Sequence, residues 1–354
     1  MIVRVALVDS DSEYLDYFEK AVTINYSSKM EVSYYTGTEN LRENILERKC
    51  DILLISDEFE EAGEKFSCGK VLLTNVPGID YKEKCRAVYK YQKIENIYST
   101  ILSEYAEQQE KAGVNFSANG DTKIFSFISA NGGSGKTTVA LAMAKMLCKK
   151  NKDVLYIPLE YFSSLNYMYP GDETKTLSNI FYMTKENKKN LSLQIKSMIR
   201  RGEDGMLFLR PVDNPTEFEQ LSSEDWNFFM NALMNIEDID YIILDHSAGV
   251  FRNFYEIMSQ VQGVYCVTDK SLTGNVKATE FIMYLQKYDK GHNTNISNKV
   301  KLIVNKAWAG NSPKDFEHLK EWIVAYLPDY GIAEMNDIID ALITQEQFQA
   351  LLDE

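Results

Sequence analysis

Residues 130–138 read Ala-Asn-Gly-Gly-Ser-Gly-Lys-Thr-Thr, between the apolar run IFSFIS and a stretch, TTVALAMAKML, with helical spacing. Glycines between a strand and a helix let backbone N–H groups curl around an anion, and the helix dipole favours negative charge there. A strand, a glycine loop and a helix in that order form a phosphate loop, and they demand an α/β domain around them. Lys136 is placed for the β- and γ-phosphates of ATP, and the Thr137 hydroxyl for Mg²⁺. Gly132, Gly133, Ser134, Gly135, Lys136, Thr137 and Thr138 are therefore read as the phosphate cradle, with Asn131 at its start.

The rest of the chain alternates in the same way. Beyond the loop, apolar runs at 154–159, 206–209, 241–244, 264–267 and 302–304 predict strands, while 161–176 reads as a long loop rich in Tyr and Ser. Before it, VRVALV at 3–8 ends in Asp9-Ser10-Asp11, and helical spacing starts at Ser12. Further apolar runs fall at 52–55 and 71–73, and a helical stretch covers about 94–109. Short buried strands alternating with helices imply parallel sheets covered on both faces. The segment 107–122 is polar, with two glycines and little periodicity. The predicted organisation is a doubly wound α/β domain at 1–108, a linker at 109–122 and a second doubly wound domain at 123–354. A length of 354 residues accommodates both.

Composition removes several classes of function. Lys plus Arg number 38 against 52 Asp plus Glu, a net charge of −14, and both halves are acidic. Nucleic-acid binding is not expected of such surfaces. No run approaches the length of a membrane span, and the N-terminus lacks a signal-peptide pattern. Five cysteines, odd in number and without a CxxC pair, argue against a disulfide framework or a zinc site. The expected location is the cytoplasm.

The run 241–245, Tyr-Ile-Ile-Leu-Asp, is a strand ending in a carboxylate suited to holding a Mg²⁺-bound water. With the loop GGxGKTT it resembles the deviant Walker motifs of the MinD/ParA family of ATPases. The resemblance implies that Asp245 and Thr137 serve the metal and that His246-Ser247-Ala248-Gly249 is similar to a switch sensing the γ-phosphate. It also implies that Glu160 positions the attacking water, giving Glu160, Lys136 and Asp245 catalytic roles, although Pro158 replaces another usual Asp. Asn305 and Lys306 resemble the segment that reads the adenine edge, and Pro328 the loop closing over the base. That family carries a lysine directly before the first glycine, which crosses to the partner's nucleotide in the dimer. Here the position holds Asn131, which implies ATP binding with slow hydrolysis.

The first half resembles a response-regulator receiver, a flavodoxin-like fold. Asp9 and Asp11 match its acidic cluster, Thr74 its threonine and Lys90 its lysine. Ser56 stands at the phosphoacceptor position, so phosphorelay is not expected, because aspartyl phosphorylation needs a carboxylate nucleophile. A receiver-like domain before a MinD/ParA-like P-loop ATPase resembles the TadZ/CpaE group of pilus-assembly proteins. Leu177-Ser178-Asn179-Ile180, the run 205–211 and Asn214-Pro215 look similar to that group too. The resemblance implies an ATP-bound homodimer, recruited to the cell pole, whose partners are pilus and secretion-machine proteins of a Tad-type (Flp) system. The alternatives are a ParA-type partition ATPase and a receiver-linked regulatory ATPase. Both need DNA contacts, which the acidic halves disfavour, and no DNA-binding module is expected after the ATPase. An apolar stripe at the C-terminus (Ile338, Ile339, Leu342, Ile343, Phe348, Leu351, Leu352) lies in 336–354, which has five acidic residues and no Lys or Arg. It is expected to pack against the domain, or against a partner, rather than insert into anionic lipid.

Overall fold

A computed structural model describes residues 1–39, 41, 50–63, 66, 68–82, 85–112, 122–171, 174–307 and 314–352. The chain forms two compact units. The first is Met1–Ala118 together with Lys189–Met198 and Asn235–Glu237; the second is Asn119–Lys188, Ile199–Met234 and Asp238–Glu354.

Among the described residues, the sheet of the first unit is built from β1 (Val3–Val8), β2 (Met30–Tyr35), β3 (Ile52–Ser56), β4 (Gly69–Thr74), β5 (Tyr81–Lys82) and β6 (Cys85–Tyr89). Their order is β2-β1-β3-β4-β6-β5, parallel except for the β5–β6 pair. Setting aside the short β5, this is the flavodoxin-like order. The strands read directly from the sequence, β1, β3 and β4, are central and buried on both faces. The helix Ser12–Asn25 is capped by Asp11, whose carboxylate accepts from the Tyr14 N–H at 3.0 Å, and Tyr14, Leu15, Phe18 and Val22 face inward.

The last layer of this unit comes from far along the chain. The helix Leu191–Met198 packs on the helix Ile94–Lys111, and Leu193 enters the core that holds Ile97, Ile101 and Tyr105. Ser99 Oγ donates to the Ser197 carbonyl, Ser103 Oγ donates to Ser197 Oγ at 2.8 Å, and Gln194 Nε2 donates to the Ser103 carbonyl at 3.4 Å. Two helices buried around most of their circumference thus pair their polar side chains with each other. Buried polar groups require such partners.

In the second unit the described strands are β7 (Lys123–Ile128), β8 (Val154–Leu159), β9 (Arg200–Arg201), β10 (Leu207–Phe208), β11 (Tyr241–His246), β12 (Gly263–Asp269), β13 (Val300–Ala307) and β14 (Ile323–Pro328). The order is β14-β13-β12-β7-β11-β8-β10-β9, with β9 alone antiparallel among the described strands. β7 lies between β12 and β11, so the crevice for a ligand opens beyond its carboxyl end. The predicted loop at 161–176 contains one helical turn, Leu165–Met168. Much of the predicted linker, at 113–121, lies outside the described residues.

The C-terminal stripe packs on its own unit. Ile339, Leu342, Ile343, Phe348 and Leu351 join the core that includes Val139, Met143 and Leu147 of the helix Lys136–Lys149. Among the described residues no helix is long and apolar enough to cross a membrane.

Candidate nucleotide site

The loop after β7 is braced from below and from the side. Ser129 Oγ and Ser134 Oγ lie 2.9 Å apart beneath it. Gly133 and Gly135 sit at φ of 74° and 86°, left-handed conformations that favour glycine. Around Gly132 and Gly133 a Cβ would meet nothing, whereas at Gly135 it would collide with the Asn305 amide. That amide donates to the Ser134 carbonyl at 2.8 Å, and Lys306 Nζ donates to the Gly133 carbonyl at 2.8 Å. Lys306 reaches the loop through a local irregularity: β13 breaks register between Val304 and Ala307, and Lys306 adopts φ 55°. Pro328 pairs with Ala307 in the sheet, beside the 305–306 segment.

The helix Lys136–Lys149 starts at the loop's end, and its first side chain turns into a nest of oxygens. Lys136 Nζ donates to Asp245 Oδ1 and, at 3.0 Å, to Glu160 Oε1. Thr137 Oγ1 donates to the same Glu160 oxygen at 2.9 Å. Tyr156 donates its phenol proton to Asp245 Oδ2 at 2.6 Å. Asp245, fully buried, is therefore held on both oxygens. Burial works against the charge of Lys136, but Asp245 and Glu160 outweigh it and hold the ammonium above its ordinary pKa. Glu160 is pushed up by burial and by Asp245, against the pull of Lys136. Two carboxylates against one ammonium, beside a threonine hydroxyl, make a hard, oxygen-rich set suited to Mg²⁺.

Asn131 does not project from the loop. Its Nδ2 donates to Asp269 Oδ2 at 3.0 Å, and its carbonyl oxygen accepts from Thr268 Oγ1 at 3.3 Å. Both partners end β12, and Asn131 is buried. His246 is buried beside Asp245, with Nε2 3.1 Å from Ser126 Oγ and its ring stacked on Phe251. Burial, with Lys136 nearby, pushes its pKa down to about 3, so it stands as a neutral imidazole. Thr138 occupies the first turn of the helix, half-buried.

Sequence reasoning missed Tyr156, Thr268 and Asp269. The signals were present: Tyr156 shares a strand face with residues 158 and 160, and Asp269 ends an apolar strand as Asp245 does.

The receiver-like cluster gathers at the carboxyl edge of its own sheet. Lys90 Nζ donates to Asp9 Oδ1 at 2.8 Å and to Asp11 Oδ2 at 3.3 Å, with Ser56 and Thr74 buried at neighbouring strand ends. β3 stops at Ser56, and Asp57 opens a helical turn instead of extending the strand.

Two family models match the chain: a TadZ-like receiver domain over residues 1–106 and an AAA domain over 122–297. The chain joins a TadZ-like receiver domain to a MinD/ParA-like ATPase domain. Solved structures similar to the ATPase domain include a ParA family ATPase from Chlorobium tepidum TLS, 16% identical, covering 66% of this chain and 98% of that one with a TM-score of 0.52. A plasmid partition protein from Borrelia burgdorferi is 19% identical, with coverage of 66% and 98% and a TM-score of 0.51. MinD of Aquifex aeolicus is 18% identical, with the same coverage and a TM-score of 0.50. At these identities the likeness is one of fold. No curated protein sequence matches the chain. The ATPase domain implies nucleotide binding, and the cradle, the buried lysine and the oxygen cluster fit ATP with Mg²⁺.

Proposed function

We propose that this chain is an ATP-binding localisation or assembly factor for a Tad-type (Flp) pilus secretion system, acting as an ATP-bound homodimeric scaffold with weak hydrolysis. The observation that carries the hydrolysis reading is Asn131. It is neutral, and its amide is occupied within its own chain by Thr268 and Asp269. Stabilising developing negative charge with one positioned group is commonly worth about 3–4 kcal/mol, or 10²–10³ in rate. Asn131 delivers no such charge.

ATP supplies a phosphoanhydride, and Mg²⁺ would neutralise its oxygens when held by Thr137 and Asp245. The backbone N–H groups of 132–138 bind the phosphates, and Lys136 exchanges its carboxylate partners for phosphate oxygens. Glu160, freed from Lys136, orients a water by hydrogen bonding. The side chains of Asn305 and Lys306 keep the loop curled, and Pro328 lies beside them for the base. The dimer is supported by Leu272 and Val276, 72% and 50% exposed, on the helix that begins just past Asp269. The partners we propose are pilus and secretion-machine proteins at the cell pole, with no nucleic acid and no direct membrane insertion.

Analytical ultracentrifugation with ATP, with ADP and without nucleotide, run beside a phosphate-release assay, tests the reading. The expected result is a dimer with ATP and hydrolysis that is barely measurable. A strict monomer with ATP, or several turnovers per second, would refute the scaffold.

A further inference from the structure

Asp245 is met by two donors that arrive from different directions. Lys136 Nζ reaches Oδ1 from the phosphate loop, and the Tyr156 phenol reaches Oδ2 at 2.6 Å from within the sheet. Strand register fixes the direction of the second contact. β8 and β11 run parallel, with Tyr156 beside Ile243 and Pro158 beside Asp245. Tyr156 therefore stands two residues deeper in the sheet than the carboxylate, and its long side chain spans that step. Residues 156, 158 and 160 share one strand face. Pro158, directly across from Asp245, has neither a polar side chain nor an N–H, so it cannot compete for Oδ2.

The two contacts differ in how readily they break. Tyr156 is 1% exposed, in the core that also holds Phe127, Val139 and Met143. A buried hydroxyl that loses its partner pays its full desolvation cost, so the phenol stays on Asp245. Lys136 has an alternative, because phosphate oxygens replace its carboxylates when nucleotide enters. Oδ1 is the oxygen that shares the Lys136 ammonium with Glu160 and Thr137, and it is the one that this exchange releases. With nucleotide bound, Asp245 thus offers one oxygen to a cation and keeps the other on Tyr156.

That restriction separates two divalent cations. Mg²⁺ is small, demands octahedral geometry and keeps several of its waters, so a carboxylate serves it through a single oxygen. Ca²⁺ is larger, takes more oxygens and often takes both oxygens of one carboxylate. We propose that Tyr156 sets the metal preference of the nucleotide site: by keeping Oδ2, it limits Asp245 to one oxygen and favours Mg²⁺ over Ca²⁺. Tyr156 is a positioning residue that acts through Asp245. The assignment rests on the ATP and Mg²⁺ reading of the site.

Calorimetry on the full chain tests this with a non-hydrolysable ATP analogue, once in saturating Mg²⁺ and once in saturating Ca²⁺. The unsubstituted chain should bind the Mg²⁺ complex at least about tenfold more tightly than the Ca²⁺ complex. Tyr156→Phe removes only the hydroxyl and frees Oδ2. Its preference for the Mg²⁺ complex should be at least about fivefold smaller, the scale of one hydrogen bond. A merely structural hydroxyl would lower stability and both affinities together. A ratio that does not move in the variant therefore overturns the assignment. Equal affinity of the unsubstituted chain for the two complexes overturns it too, without relying on any variant. Failure of the analogue to bind with either metal overturns the nucleotide reading and the assignment with it, whereas binding with an unmoved ratio overturns the assignment alone.

Discussion

Lys136 and Asp245 form the most consequential pair in the ATPase domain, because one is nearly and the other wholly withdrawn from water. Breaking a buried ion pair by removing one partner typically costs about 3–5 kcal/mol, since the other charge stays buried. Lys136→Ala is expected to lose stability on that scale in urea titrations without nucleotide. ATP affinity of the folded variant should fall at least about tenfold, or 1.4 kcal/mol. Unchanged affinity by calorimetry would remove Lys136 from the phosphate site. The glycines separate along a different line. Gly135 combines φ 86° with the collision against Asn305, while Gly132 has neither constraint. Gly135→Ala should lower the melting temperature by several degrees, and Gly132→Ala should leave it nearly unchanged. Equal melting of the two variants would show that the Asn305 brace does not hold Gly135.

At the scale of elements, the receiver-like unit borrows a helix. Leu191–Met198 follows the P-loop by more than fifty residues, yet Leu193 is 4% exposed in the core around Ile97 and Ile101. Leu193→Ala should therefore destabilise the receiver-like unit by about 2–5 kcal/mol, the range for buried leucines. Hydrogen exchange on β1 and β3 reads this directly; protection there that does not change would mean the helix is dispensable to that core. The same dependence explains why residues 1–112 alone would expose an apolar helix face. Edge elements explain the gaps in the sequence reading. β2 is half-buried with an alternating, polar-rich run and lacks the continuous apolar signal of β1 or β8, whereas β14, IVAYLP, carries such a run and is a strand the sequence reading left out.

For the whole molecule, charge and burial act in the same direction. The net charge is −14, and the C-terminal apolar stripe is spent on the core of the ATPase domain. While packed there, the stripe offers anionic lipid no apolar face, and the net charge offers it no attraction. Co-sedimentation with phosphatidylserine vesicles should leave the protein in the supernatant with ATP or with ADP. Pelleting that depends on ATP would mean that the stripe leaves the core, and that a MinD-like membrane cycle has to be restored to the list of functions.

The parts of this protein determined by sequence alone are those whose physics is local. A phosphate loop needs nine adjacent residues, a strand before and a helix after, and all lie within one reading window. The central strands announce themselves because both of their faces are buried. Glu160, Asp245 and Asn305 were legible as strand-end residues at the carboxyl edge of a parallel sheet. Which of them meet was settled only in three dimensions. Lys136 and Asp245 are 109 residues apart, and Asn131 and Asp269 are 138 apart. Their contacts depend on the order β12-β7-β11-β8, which alternation does not specify. The periodicity of 191–198 likewise predicts a helix that buries a face, but not which core receives it. Burial is a property of neighbours, and neighbours distant in sequence are chosen by the fold.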